Sequence, residues 1–262
     1  MSDAVVKVEH LRKSFARGET EVVALTDVNL EVEHGSFITI VGPSGCGKST
    51  MLNIVAGLLS PSSGAVYYKG QAVTGPRLEV GYLTQKETLM PWREIVRNIE
   101  MPLELRGVEK SVRRQRAREL IETVGLEGFD RHYPHEVSGG MLRRASLARL
   151  LCADPETLLM DEPFGALDAQ LRLELQNELL SLWSGSGKTV MFVTHDIEEA
   201  MVLGDRVIVL GIPGQVIHDE QVALPRPRDA AEIRFLPEFR EIHQRLWGAL
   251  KEASQQKGVT AA

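Results

Sequence analysis

Residues 42–50 form a glycine-rich stretch with the composition of a phosphate-binding site, and we call this stretch the phosphate loop. In chain order its residues are Gly42, Pro43, Ser44, Gly45, Cys46, Gly47, Lys48, Ser49 and Thr50. The order matches the motif G-x-x-x-x-G-K-[ST], in which backbone N–H groups close on phosphate oxygens because glycines leave room for them. We therefore expect Lys48 to hold the β- and γ-phosphates of a nucleotide and Ser49 to bind Mg²⁺.

The sequence on either side of the phosphate loop favours a phosphate site over a chance turn. Residues 37–41 are an apolar run that predicts a buried strand, and residues 49–56 predict a helix. A helix that starts at the loop points its positive N-terminus at bound phosphates. The loop alone does not separate kinases, GTPases, recombination proteins and transport ATPases, so other residues must decide.

Two adjacent carboxylates follow another apolar strand. Residues 158–160 lead directly into Asp161, Glu162 and Pro163. Phosphoryl transfer uses one carboxylate on the metal side, and another can orient or deprotonate water. A buried strand would carry both to the edge where the phosphate loop lies. We assign Asp161 to the metal and Glu162 to the water.

Gln85 and His195 also follow predicted strands. Gln85 comes after the strand at 79–84, and its amide could reach the metal or the attacking water. His195 follows the strand at 190–194, and its imidazole could contact a γ-phosphate oxygen. Each residue is a weak signal by itself. We expect the two to meet Lys48 and the carboxylates at one edge of a sheet.

A second anion-binding feature lies far along the chain, at Ser138, Gly139 and Gly140. These residues precede a helical run that contains Arg143, Arg144 and Arg149. A Ser-Gly-Gly sequence at a helix start exposes backbone N–H groups as an anion-binding nest. Because this segment belongs to a predicted helical insertion, we expect it to serve the nucleotide of another subunit.

Phe15 has two interpretations. Its ring lies about 27 residues before the phosphate loop and could fold over to stack on adenine, a contact that needs only a flat aromatic face. It could equally pack inside a small sheet. The residue taken alone does not separate the two.

Strand and helix patterns organise the rest of the chain around these residues. Apolar residues alternate between positions 5 and 32, which predicts half-buried antiparallel strands. Residues from about 87 to 155 lack strand character and have helical spacing. From residue 157 onward strands and helices alternate, which predicts a largely parallel sheet. A proline-stiffened linker at 224–228 leads to a last helix at about 235–253, and we expect residues 254–262 to fray.

Composition excludes several classes of protein. The net charge of −6 over 262 residues argues against a nucleic-acid-binding body, which needs clustered Lys and Arg. The basic run at 113–118 is either a solvated helix face or a contact for an acidic partner or lipid head groups. No apolar run is long enough for a signal peptide or a membrane helix, so we expect a cytosolic protein that docks on any membrane partner. Cys46 and Cys152 lack metal-binding spacing, and we expect both to stay reduced.

Together these motifs resemble the ATP-binding subunit of an ABC transporter. That family has a phosphate loop, a Gln, an S-G-G-centred signature, an Asp-Glu pair, an A-L-D loop and a switch His in this order. They correspond here to residues 42–49, Gln85, 138–140, 161–162, 166–168 and His195. The resemblance implies an α/β fold, with an ABC-type P-loop NTPase core, an antiparallel β subdomain and an inserted helical subdomain.

The resemblance also implies boundaries, ligands and partners. Residues 1–223 would form the ATPase domain, with the helical subdomain at about 87–155, and residues 224–262 the linker and short C-terminal helix. Two chains would form a head-to-tail dimer around two ATP and Mg²⁺, with Ser49, Gln85 and Asp161 at the metal. Each ATP would lie on one chain's phosphate loop and be capped by the other chain's nest, while Asp168 communicates across the interface. An integral membrane permease would dock near Gln85 at the cytoplasmic face of the cell membrane, and an extracytoplasmic solute-binding protein would complete the system.

Some residues depart from the family pattern, and others indicate a branch. The signature has Val137 where Leu is usual and Met141 where Gln is common, while Phe15 keeps the aromatic face of the usual Tyr. Several segments resemble the importers of nitrate, sulfonates and taurine, namely 89–92, 164–168, 192–200 and the Leu-Pro-Arg-Pro tail.

Other classes remain as rivals. A soluble ABC ATPase of translation or DNA repair typically has two cassettes or a coiled-coil insertion, and this chain has neither. The ATPase of a lipid or drug exporter would share every catalytic residue. A P-loop kinase would lack both the Ser-Gly-Gly signature and the switch His.

Overall fold

The computed structural model describes residues 4–18, 20–86, 88–165 and 167–255. The strands are β1 (Ala4–Arg17), β2 (Thr20–Glu33), β3 (Phe37–Val41), β4 (Ser63–Tyr68), β5 (Gln71–Ala72), β6 (Val80–Leu83), β7 (Thr157–Asp161), β8 (Thr189–Val193), β9 (Arg206–Leu210) and β10 (Val216–Gln221). The helices are α1 (Lys48–Val55), α2 (Ile95–Leu105), α3 (Lys110–Thr123), α4 (Gly139–Cys152), α5 (Ala169–Trp183), α6 (Ile197–Leu203) and α7 (Pro237–Gln255). Ala166 of the predicted A-L-D loop and residues 256–262 of the predicted frayed tail lie outside the described residues.

The strands form two sheets. Strands β2, β1, β4 and β5 make an antiparallel sheet in that order. The other sheet has the order β10-β9-β3-β8-β7-β6, and all its strands except β10 are parallel to their neighbours. This is the antiparallel layer and the largely parallel core that the sequence predicts.

The parallel core is buried on both faces. Every residue of β3, β7 and β8 is buried, which explains why these strands are nearly continuous apolar runs. In β3, Ile38 and Ile40 pack with the antiparallel sheet and α1, while Phe37 and Val41 pack with the helices on the other face. The sheet therefore holds its strands rigidly in register, and their carboxyl ends lie along one edge.

Helices α2, α3 and α4 lie between β6 and β7 in the chain and pack on one another. Their shared core includes Ile99, Leu120 and Ala148, all of which are buried. Helix α4 also contacts β6, so the group of helices is joined to the core sheet at that strand.

Near the end of the chain the structure adds a strand and moves the start of the last helix. Strand β10 is an antiparallel edge strand that the sequence pattern missed, because its charged residues obscure the alternation. Those charges are paired: Asp219 with Arg206 at 2.6 Å, and Glu220 with Arg245 at 2.7 Å. The last helix begins at Pro237, since Phe235 lies in a preceding 3₁₀ turn.

Among the described residues, no helix combines the length and apolar character needed to cross a bilayer.

Candidate active site

The phosphate loop joins the carboxyl end of β3 to the start of α1. It passes so close to its neighbours that two of its glycines have no room for a side chain. A Cβ on Gly42 would lie 2.5 Å from the carbonyl oxygen of Leu210, and one on Gly47 would lie 2.4 Å from that of Ala24. Gly47 also has a φ of 95°, in the left-handed region that favours glycine. The loop shape therefore depends on the residues that define the motif.

Lys48 lies inside the curve of the loop. Its side chain is buried, and Nζ donates to the carbonyl oxygens of Gly42 at 2.8 Å and Pro43 at 3.1 Å. The ammonium group is thus held at the place where the loop would surround a phosphate. Two carbonyl contacts are weak partners for a full charge, so an anionic oxygen is a favourable replacement.

Asp161 ends β7 and faces Ser49. The carboxylate is buried, and its Oδ1 has no hydrogen-bond partner. Burial raises the pKa of Asp161, and the nearby Ser49 and Lys48 act in the opposite direction. A buried carboxylate oxygen without a partner suits a hard cation.

The residues present fit Mg²⁺ rather than a metal held by protein side chains alone. The described residues contain no group of three or more His, Cys, Asp or Glu side chains that could hold a metal. Mg²⁺ normally uses one or two carboxylates and takes its other ligands from phosphates and water. Asp161 and Ser49 could provide the protein part of such a site.

Glu162 lies between Gln85 and His195. The Gln85 amide Nε2 donates to Glu162 Oε2 at 3.2 Å, and His195 Nδ1 lies 3.5 Å from Glu162 Oε1. The carboxylate is 22% exposed, so water can reach it. The structure therefore brings together three residues that the sequence predicted from separate strand ends.

The backbone of Glu162 is strained. Its φ is 47°, which is uncommon for a residue with a side chain. A hydrogen bond from its N–H to the Val193 carbonyl oxygen, at 2.9 Å, helps to hold this conformation. Strain of this kind concentrates at functional sites, since folding alone gains nothing from it.

The nest at 138–140 is open to solvent at the start of α4. Ser138 is the N-cap of the helix, with its hydroxyl accepting from the Met141 N–H at 3.3 Å, and both Ser138 and Gly139 are exposed. Met141 is partly buried and packs against the hydrophobic core. Its apolar side chain thus has a packing role here in place of the hydrogen bonds that Gln makes.

The three arginines after the nest do not add positive side chains to it. Arg144 donates to the carbonyl oxygens of Val124 and Gly125, and Arg149 donates to Thr88. Arg143 is buried against the loops that contain Gln85 and Glu162. Sequence reasoning missed this last placement, because an Arg in a helical run gives no sign of which loop it faces.

Two further predicted binding residues lie at exposed positions. Phe15 is on β1 opposite Val22; the residue is 41% exposed, and Lys13 Nζ lies 5.1 Å from the ring centre. The aromatic face is accordingly available for stacking. Asp168 is exposed and is the N-cap of α5, accepting from the Leu171 N–H at 3.0 Å.

Residues 25–165 match the model of the family described as ABC transporter. The chain belongs to this family, and it is an ATP-binding ATPase subunit. This confirms the resemblance inferred from the motifs.

Several proteins named as ATP-binding proteins are similar to this chain over most of its length. An uncharacterized ABC transporter ATP-binding protein of Methanocaldococcus jannaschii is 49% identical over 90% of this chain and 88% of its own length. The taurine import ATP-binding protein TauB of Yersinia pestis is 46% identical over 74% of this chain and 76% of its own. The aliphatic sulfonates import ATP-binding protein SsuB of Bacillus licheniformis is 43% identical over 89% of each chain. These relatives confirm the predicted similarity to the importer branch.

Solved structures agree with the fold. The dimeric post-hydrolysis state of the ATP-binding cassette MJ0796, bound to ADP and Pi, has a TM-score of 0.78 and 35% sequence identity. The match covers 83% of this chain and 98% of that one. The predicted α/β cassette fold is therefore confirmed.

Proposed function

We propose that two copies of this chain close on two Mg-ATP, hydrolyse them, and thereby drive a membrane permease that imports a small anion. The observation that carries the proposal is the placement of Glu162 between Gln85 and His195, next to the buried carboxylate of Asp161. This arrangement supports the proposal because a water-accessible carboxylate would lie beside the bound metal and phosphate.

Nucleotide binding would use the phosphate loop and Phe15. Backbone N–H groups of residues 42–50 would surround the phosphates, and Lys48 would exchange its carbonyl contacts for the β- and γ-phosphate oxygens. The exposed ring of Phe15 would stack on adenine. Asp161, Ser49 and Gln85 would hold Mg²⁺, which neutralises charge on the transferred phosphoryl group.

Hydrolysis would use Glu162 as the general base. Its carboxylate takes a proton from the water that attacks the γ-phosphorus, the bond from that phosphorus to the bridging oxygen breaks, and ADP and phosphate leave. Gln85 would orient the water through its contact with the carboxylate. His195 would contact a γ-phosphate oxygen, so that Glu162 and the phosphate are held in one geometry.

The second chain would complete each site. Ser138 and Gly139 of the nest are exposed, and backbone N–H groups at this helix start would suit the γ-phosphate of a nucleotide on another copy. The similar cassette MJ0796 is dimeric with ADP and Pi bound, which supports a dimer of this chain, and we propose that its two copies are arranged head to tail. Asp168, exposed at the start of α5, would lie at the same interface and communicate across it.

The transport partner follows from the relatives. TauB and SsuB are named as import ATP-binding proteins for taurine and aliphatic sulfonates, both of which carry a negatively charged sulfonate group. We infer that the cargo of this chain is a small anion of that kind or nitrate. The chain would work at the cytoplasmic face of the cell membrane, beside the permease and with an extracytoplasmic solute-binding protein.

Co-purification tests this proposal. A tagged Glu162→Gln form, expressed in the native host and solubilised with Mg-ATP, should elute with an integral membrane protein in about equal amount. Lys48→Ala, treated in the same way, is the control for dependence on nucleotide. Elution with ribosomal or DNA-repair proteins alone would contradict the transport role.

A further inference from the structure

Arg143 connects α4 to two loops that contain candidate catalytic residues. Its side chain is almost fully buried, with the whole residue 4% exposed. Nε donates to the carbonyl oxygen of Pro163 at 2.7 Å. Nη1 donates to that of Thr84 at 2.6 Å, and Nη2 to that of Asp161 at 2.8 Å.

Two further contacts reach the candidate catalytic residues themselves. Nη1 lies 3.3 Å from the Gln85 carbonyl oxygen, and Nη2 lies 2.9 Å from that of Glu162. The carbonyls that accept from this one guanidinium therefore belong to the backbone segments of Gln85 and of the Asp161-Glu162 pair. Movement of the Arg143 side chain would displace both segments together.

The chemistry of the guanidinium suits this task. A buried cation costs free energy unless its donors are satisfied, and the planar fork of Arg donates in several fixed directions at once. Lys has a single ammonium group and could not reach the two loops simultaneously. Because β6 and β7 are adjacent parallel strands, their loops emerge side by side within reach of one fork.

The nest lies at the N-terminus of α4, the helix that also carries Arg143. Ser138 caps α4, and Arg143 lies five residues further on, about 7.5 Å along a rigid helix. The helix therefore relates the position of an anion bound at the nest to the position of the carbonyls around Glu162.

We propose that Arg143 is a positioning residue that couples occupation of the nest by a second chain's nucleotide to the geometry of Gln85 and Glu162. This inference rests on the proposed function and adds a regulatory step to it: a chain whose nest is engaged holds its own water-activating carboxylate in the productive position. Arg143 acts through the backbone and does not touch the nucleotide.

Kinetics of Arg143→Gln and Arg143→Lys test the inference, with Arg144→Gln as the matched control. Arg144 is the next residue and also donates to two backbone carbonyl oxygens, but at the end of α3 and away from the catalytic loops. We expect Arg143→Gln to lower kcat about tenfold or more, with ATP affinity within about twofold of wild type. Arg143→Lys should recover little of the loss, and Arg144→Gln should keep kcat within about twofold of wild type.

A double-mutant cycle separates coupling from general loosening of the fold. Ser138→Ala weakens the nest, and its effect on kcat should largely disappear in the Arg143→Gln background if the nest acts through Arg143. Independent, multiplicative losses would overturn the inference, as would a wild-type kcat in Arg143→Gln. If Arg143→Gln does not fold, the same cycle is run with Arg143→Lys. Absence of any Mg-dependent ATP hydrolysis by the wild-type chain would instead overturn the proposed function.

Discussion

Asp161 and Glu162 are neighbours in the chain, yet the structure gives them different environments. Asp161 is buried with one oxygen unpartnered, which suits a metal ligand, and burial raises its pKa. Glu162 turns outward through a left-handed backbone and meets Gln85 and His195. A single peptide unit thus separates the carboxylate that we propose as a metal ligand from the one that we propose as the proton acceptor.

Substitution of Glu162 tests its role as the base. Glu162→Gln keeps the shape of the side chain but removes the proton acceptor, so turnover should fall by roughly 10²- to 10⁴-fold while ATP binding is retained. Phosphate release and nucleotide binding measure the two effects separately. Glu198→Gln is a suitable control, because Glu198 pairs with Arg234 at the start of α6. Turnover near that of wild type in Glu162→Gln would remove Glu162 from the role.

The two cysteines should be unreactive in the folded chain. Both are free thiols in the interior, and burial raises the pKa of Cys46 and raises that of Cys152 to about 11. Thiol reagents attack the thiolate, and at a pH of about 7.5 only about one Cys152 thiol in 3,000 would be ionised. We expect slow labelling by iodoacetamide in buffer and rapid labelling of both in denaturant. Fast labelling of the native chain would contradict the burial of these thiols.

At the scale of elements, buried arginines join segments that are distant in the chain. Arg143 joins α4 to the ends of β6 and β7. Arg228 follows β10 and donates to the carbonyl oxygens of Met201 at 3.0 Å and Gly204 at 2.7 Å. These carbonyls belong to the end of α6, so Arg228 caps that helix and fastens the proline-rich linker to the core.

Replacement of Arg228 should destabilise the fold without touching the candidate active site. Arg228→Leu leaves the carbonyls at the end of α6 buried and unpaired, and we expect the free energy of unfolding to fall by about 3 kcal/mol. Urea denaturation measures this change. Arg240→Leu, at an exposed position of α7, should change the free energy by less than about 0.5 kcal/mol. A similar small change in Arg228→Leu would mean that the contacts of the guanidinium contribute little.

The elements that the sequence predicted well are those with one dominant signal. Strands β3, β7 and β8 are buried on both faces, so their apolar runs identify them. The candidate site was predictable in large part, since its polar residues follow such strands directly. Strand β10 and the contacts of Arg143 were not predictable, because ion pairs and carbonyl contacts depend on which distant segments the fold brings together.

At the scale of the whole molecule, one chain holds only part of each proposed site. The phosphate loop and the nest are both formed before any partner arrives, and the nest is exposed at the start of α4. An exposed set of backbone N–H donors gains most from an anion that another molecule brings. We therefore predict an association that depends on ATP and on the nest.

The molar mass of the Glu162→Gln variant in solution tests directly whether two chains associate on Mg-ATP. With Mg-ATP, light scattering should give twice the 29.0 kDa of one chain, and without nucleotide it should give the single-chain value. With Gly139→Glu added to this variant, the protein should remain a monomer in the presence of Mg-ATP, because a carboxylate at the nest repels phosphate. A Cβ at Gly139 meets nothing within 4 Å, so this change leaves the fold intact. A single-chain mass with Mg-ATP, or a dimer that Gly139→Glu does not disturb, would contradict the account.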